Sequence, residues 1–80
     1  MSKIKDVIER SLKSFSHDAV FELPNNTSGI VVHRGEGDHV DIFFVKNTLA
    51  DNLNKEKIYS GHLNKVDVKS LKQIVKEKML

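Results

Sequence analysis

Four histidines and no cysteine, in a chain of 80 residues, bound the chemistry that these side chains can do. Without a thiol there is no disulfide, no thiolate nucleophile and no thiolate metal ligand. A zinc site of histidines and carboxylates stays open in principle, but the chain has no HxxxH or HExxH spacing, and no metal or other cofactor is expected. The group with most chemical content is His33, His39 and Asp41. Imidazole titrates near neutral pH and can give or take a proton during a reaction. A carboxylate beside it fixes which ring nitrogen carries the hydrogen. His17 and His62 have no partner at ligand spacing and read as loop residues. Gly35-Glu36-Gly37 lacks the rest of any phosphate-loop pattern and reads as a turn.

A second set is basic. Lys65, Lys69, Lys72 and Lys76 recur at intervals of four, three and four, which would line one side of a C-terminal helix. Such a stripe can track a phosphate backbone. The plainer reading is a solvated helix face, and Glu77 adds a negative charge nearby.

These residues depend on the elements that hold them. Ile4, Val7, Ile8, Leu12 and Phe15 make one apolar stripe and predict a helix over Lys3–Phe15, with Ser2 as cap, Asp6 near its positive end and Arg10 and Lys13 near the other. Ala19–Leu23 is strand-prone, and the Pro24–Gly29 run of turn formers stops it. Ile30–Arg34 and His39–Lys46 read as two strands joined at Gly35–Asp38. Ile30, Val32, Val40, Ile42 and Phe44 share a buried face only if opposed residues sum to an even number. A three-residue loop closed by Gly35 and His39, with Gly37 left-handed, satisfies this. The other face then carries Val31, His33, His39, Asp41, Phe43 and Val45, with His33 opposite Asp41. Polar-out alternation makes a wet face the default. Phe43 and Val45 make this one too apolar for that, so it reads as a binding surface or one covered by another chain.

Asn47–Lys57 is polar and reads as a loop with room for one helical turn, and Lys57–Ser60 as a short fourth strand. Val68, Leu71, Ile74, Val75 and Met79 form a second helical stripe, capped by Asp67 or Asn64. The expected fold is therefore α+β, a single domain over residues 1–80: α-β-β-β-(β)-α, two helices on one face of a three- to four-stranded antiparallel sheet.

A chain of this length buries only roughly 60–65% of its unfolded surface, so the core must be thin. At 39% hydrophobic and 30% charged it is nonetheless a folding composition, not a disordered one. No stretch has the length of a signal peptide or of a bilayer span, so a cytoplasmic protein with no membrane partner is expected. Asn25-Asn26-Thr27-Ser28 holds glycosylation triplets, which in that setting are turn residues. The net charge of +2 mildly favours an anionic partner.

The run Ser60-Gly-His-Leu-Asn-Lys-Val-Asp-Val-Lys-Ser-Leu-Lys-Gln-Ile-Val-Lys76 resembles the end of HicA-type mRNA interferase toxins, which close with a strand, a histidine, a polar loop and a basic Leu/Ile-patterned helix. Gly37-Asp38-His39, ahead of a strand, is similar to the family's Gly-Ser-His motif, with Asp38 in place of the serine. The family's final glycine is replaced by Glu77-Lys-Met-Leu80, and His17–Ser28 is additional. The resemblance implies a double-stranded-RNA-binding-like fold, ribonuclease activity, a neutralising antitoxin partner (HicB) and a catalytic role for His39. On that reading His39 serves as general base on a ribose 2′-hydroxyl or as acid to the leaving 5′-oxygen. Asp41 orients it or His33 takes the complementary part, while Lys69 and Lys72 hold phosphates. The competing expectation is a binding module without catalysis. It would bind RNA, or be a small regulator or phage-type inhibitor that grips a host protein through the face bearing Phe43 and Val45.

Overall fold

The computed structural model describes residues 3–14, 20–25, 27–49 and 54–79. The element order is α1 (Lys3–Lys13), β1 (Val20–Glu22), β2 (Gly29–Arg34), β3 (His39–Val45), β4 (Lys55–His62), a 3-10 turn (Leu63–Lys65) and α2 (Val68–Lys78). It is an α+β domain in which both helices pack against a four-stranded antiparallel sheet of order β1-β2-β3-β4.

The helices form where the stripes place them. Val7 and Ile8 of α1 are buried, with Ile4 and Leu12 packed alongside; Leu71 and Val75 do the same for α2. Ser11 is buried on the apolar side of α1, and its hydroxyl donates to Ile8 O at 2.7 Å, so no polar atom is left unpaired there. The helix ends at Lys13, and the expected cap Ser2 and last stripe residue Phe15 lie outside the described residues. Arg34 of β2 supplies the other end: its guanidinium donates from Nε to Ser14 O at 3.1 Å and from Nη2 to Leu12 O. A cation thus meets carbonyls that have no partner within the helix. For α2 the cap is Asp67, which accepts from Lys69 N at 3.1 Å and Ser70 N at 3.4 Å. Asn64 falls in the 3-10 turn instead. Among the described residues no helix is long and apolar enough to cross a membrane.

The β2–β3 hairpin has the expected register: Ile30 pairs with Phe44, Val32 with Ile42 and His33 with Asp41. Gly35 N donates to His39 O at 2.9 Å, closing the loop. Gly37 has φ +65, and a Cβ there would touch nothing within 4 Å, so the demand at that position is conformational. Ile30, Val32, Val40, Ile42 and Phe44 are each at most 3% exposed and face the helices.

Three expectations are corrected. First, β4 is longer than Lys57–Ser60, beginning at Lys55 inside the stretch read as loop and ending at His62. A bulge between the pairs Ile42↔Tyr59 and Phe43↔Lys57 leaves Ile58 unpaired, and Ile58 and Tyr59 both pack on the core. Second, Val31 and Val45 are not on an open surface: they are 1% and 0% exposed. The chain after β3 turns back across that end of the sheet, where Thr48 N donates to Thr27 O at 2.7 Å. The Thr48 and Val20 methyl groups crowd over Gly29, where a Cβ would lie 2.8 Å from each. Third, Lys65 belongs to the 3-10 turn, and extended Val66 and Asp67 separate it from α2. The four lysines are not one helical stripe.

Candidate functional site

The sheet face turned away from the helices is laid out by strand register. Side chains directly opposite each other share a face, and alternate positions along a strand do too. One row therefore holds His33 of β2, Asp41 of β3 and Ser60 of β4. The next row toward the hairpin tip holds His39 and His62, and the row on the other side holds Val20, Val31, Phe43 and Lys57. The last row holds Glu22, Gly29, Val45 and Lys55. Along the two central strands the surface grades from buried Val31 and Val45 to half-buried His39 and exposed His33, while Val20, Glu22, Lys55, Lys57, Ser60 and His62 on the edge strands are exposed.

Asp41 is the hub. Its Oδ1 accepts from the Ser60 hydroxyl at 2.6 Å and lies 3.2 Å from His39 Nε2. The Ser60 hydroxyl holds the Asp41 carboxyl below its ordinary value, against the opposing effect of burial, and the His39 ring and the Lys57 charge add to the lowering. An ionised carboxylate only accepts, so the contact assigns the hydrogen to His39 Nε2 and leaves Nδ1 as the basic nitrogen. Ser60 Oγ is 3.5 Å from His39 Nε2, but its hydrogen is committed to Asp41. A nucleophilic serine must donate to the imidazole, so this is not a serine-hydrolase relay. The arrangement suits proton transfer by histidine.

His62, read from sequence as a loop residue, instead ends β4 directly opposite His39. Two bonds hold it there. Tyr59 Oη donates to His62 O at 2.9 Å, and Leu63 N donates to Asp38 O in the hairpin loop at 2.6 Å. Opposed residues of an antiparallel pair have Cα atoms about 4.5–5.5 Å apart, so the two histidines leave the same face from neighbouring positions. His17 lies outside the described residues.

The structure does not bring the expected cations to this face. Lys69, Lys72 and Lys76 stand on α2, whose Leu71 and Val75 are buried toward the sheet, so they project from the helix layer. That layer is on the far side of the sheet from His39. The cations that do share the histidine face are Lys55 and Lys57, with Nζ atoms 5.5 and 5.9 Å from the centroid of the half-buried Phe43 ring. Such contacts are worth about 0.5–1 kcal/mol each at an exposed site. Ser60, His62, Lys55 and Lys57 were missed from sequence because each needs the register of β4, which the bulge resets.

Among the described residues no group of three or more His, Asp or Glu side chains is disposed to hold a metal ion. A cavity of about 360 Å³ between α1 and the end of β1, lined by Lys3, Asp6, Arg10 and Glu22 among others, contains none of the histidines. Its two cations and two anions favour no ligand charge. No protein-family model matches the chain, and neither a curated protein nor a solved structure matches it.

Proposed function

We propose that this chain is a small cytoplasmic ribonuclease of the toxin–antitoxin kind, cleaving RNA by general acid–base catalysis at His39 without calling on a metal. The observation that carries the reading is the Ser60–Asp41–His39 contact set on an exposed sheet face that also bears cations. His39 Nδ1 takes the ribose 2′-hydroxyl proton. The 2′-oxygen attacks the adjacent phosphorus and the P–O5′ bond breaks. A second imidazole protonates the leaving 5′-oxygen, giving a 2′,3′-cyclic phosphate and a 5′-hydroxyl. His62, across from His39, has the better position for that acid; His33, across from Asp41, is the other candidate. Asp41 positions His39, and the Ser60 hydroxyl fixes the Asp41 carboxylate by a hydrogen bond. A companion antitoxin protein would restrain the activity, as in the toxins whose C-terminal pattern this chain resembles.

A second reading has its own observation. Phe43 with Lys55 and Lys57 suits RNA binding that involves no proton transfer. The version in which a host protein docks on Phe43 and Val45 is weakened, since Val45 is buried within the chain itself.

The test is incubation of the purified protein with RNA. His39→Ala should lower cleavage by about 10²–10⁴-fold, and His62→Ala by more than His33→Ala. Induction of the gene alone should arrest growth, and a neighbouring gene should relieve the arrest. Purified protein that leaves RNA intact, or cleaves it equally well as His39→Ala, removes the ribonuclease reading; retained RNA binding would then favour the second.

A further inference from the structure

We infer that Phe43, Lys55 and Lys57 form a subsite for one unpaired nucleotide, so that RNA reaches His39 as a single strand and not as a duplex. The inference rests on the reading that this face handles RNA, and specifies how it does so. Phe43 and His39 lie on the same face of β3, four residues apart, with Asp41 between them. At the rise of a strand that is about 13 Å, so both can act on one extended chain. Val31, directly opposite Phe43, and Val45, two residues further along β3, are both buried beside it.

The ring is the one Phe, Tyr or Trp side chain among the described residues of this face, and two ammonium groups lie over it. Both lysines are exposed and belong to an edge strand, so they are free to swing outward. Stacking by a base generally outweighs an exposed cation–π contact, so a base would take the ring face while the two ammonium groups move to the phosphates on either side. A paired base cannot do this, because its faces are already stacked within the helix. An acidic protein segment would satisfy the lysines and leave the ring without a partner of its own kind.

The experiment measures binding to a labelled single-stranded RNA of about ten nucleotides, within the span such surfaces occupy, on the His39→Ala background so that the probe survives. Phe43→Ala should weaken binding about 5- to 150-fold. Phe43→Leu, which keeps an apolar side chain there without a ring, should weaken it comparably, while Phe43→Tyr should retain it. Lys55→Gln with Lys57→Gln should flatten the dependence of log K on log salt by about 1.4, at 0.7 per cation for single strands. Duplex RNA of the same sequence should bind less well. Single-stranded DNA should bind like RNA but resist cleavage by the wild-type chain, since it lacks the 2′-hydroxyl. RNA bound and cleaved with no effect of either Phe43 variant, or duplex bound as tightly as single strand, would overturn the subsite and leave the ribonuclease reading standing. No RNA bound by any variant, with a polyglutamate peptide bound through the same lysines, would overturn both.

Discussion

The two faces of the sheet are built from the same alternating strands yet obey different rules. On the helix side Ile30, Val32, Val40, Ile42 and Phe44 are uniformly buried, and each contacts a cluster that includes Ile8, Leu71 and Val75. On the other side burial is graded. Val31 and Val45 are as buried as the core, Phe43 is half-covered, and His33, Ser60 and His62 face solvent. The first face is closed by two helices, which bury Val7 and Ile8 of α1 and Leu71 and Val75 of α2 against it. On the second, Thr48 after β3 and Val20 press on Gly29 next to the buried Val31 and Val45, while the other end carries exposed histidines. At the open end the polar side chains His39, Asp41 and Ser60 hold one another by hydrogen bonds next to the buried valines.

The comparison breaks first if the helix side is not the source of stability. Ile42→Ala, Ile8→Ala and Leu71→Ala should each cost roughly 2–5 kcal/mol, since a core this thin cannot refill the gap. His39→Ala should stay within about 0.5 kcal/mol of wild type, as a half-exposed strand-end residue on the open face does. Chemical denaturation of the four variants measures both. Equal losses at His39 and Ile42 would mean that the two faces do not differ as described.

A smaller effect tests the closed end of the second face. Gly29→Ala should destabilise by about 1–3 kcal/mol, because the new methyl meets the stiff Val20 and Thr48 side chains at 2.8 Å and the Phe21 carbonyl at 3.2 Å. Thr48→Ala should recover part of that loss when combined with it. An unchanged denaturation midpoint for Gly29→Ala would show that the residues after β3 do not press on the sheet.

The smallest effect belongs to the open end and concerns acid. The Asp41 carboxyl is held below its ordinary value of 3.8 in the folded chain, so its ionised form favours folding. That contribution is fully present above the unfolded value and disappears as pH falls through the lowered folded value. Wild type should therefore exceed Asp41→Asn in stability at neutral pH, with the gap closing below about pH 4. Ser60→Ala should narrow the gap as well, since the Ser60 hydroxyl is the first cause of the lowering. A gap that persists unchanged at pH 2 would assign the effect to packing and not to charge.

Much of this molecule was legible in its residues. The spacing of Val7 and Ile8, and of Leu71 and Val75, identified the inner sides of both helices, because a helix repeats every 3.6 residues whatever surrounds it. The parity of the apolar positions on β2 and β3, with Gly37 between them, determined the hairpin register and put His33 opposite Asp41 and His39 beside it. These are local consequences of chain geometry, and they located the centre of the candidate site. Its surroundings were settled by contacts between distant segments. β4 could not be bounded from sequence: Lys55-Glu56-Lys57 has no apolar alternation, and Ile58 is the bulged residue that shifts the register by one. Without that shift Ser60 and His62 would point to the helices and not to Asp41 and His39. The burial of Val31 and Val45 was decided by tertiary packing, and the separation of Lys69, Lys72 and Lys76 from His39 by which side of the sheet α2 docks on. Periodicity states which residues share a face of an element; which neighbour covers that face is decided when the elements pack, and the second face of this sheet was left to that step.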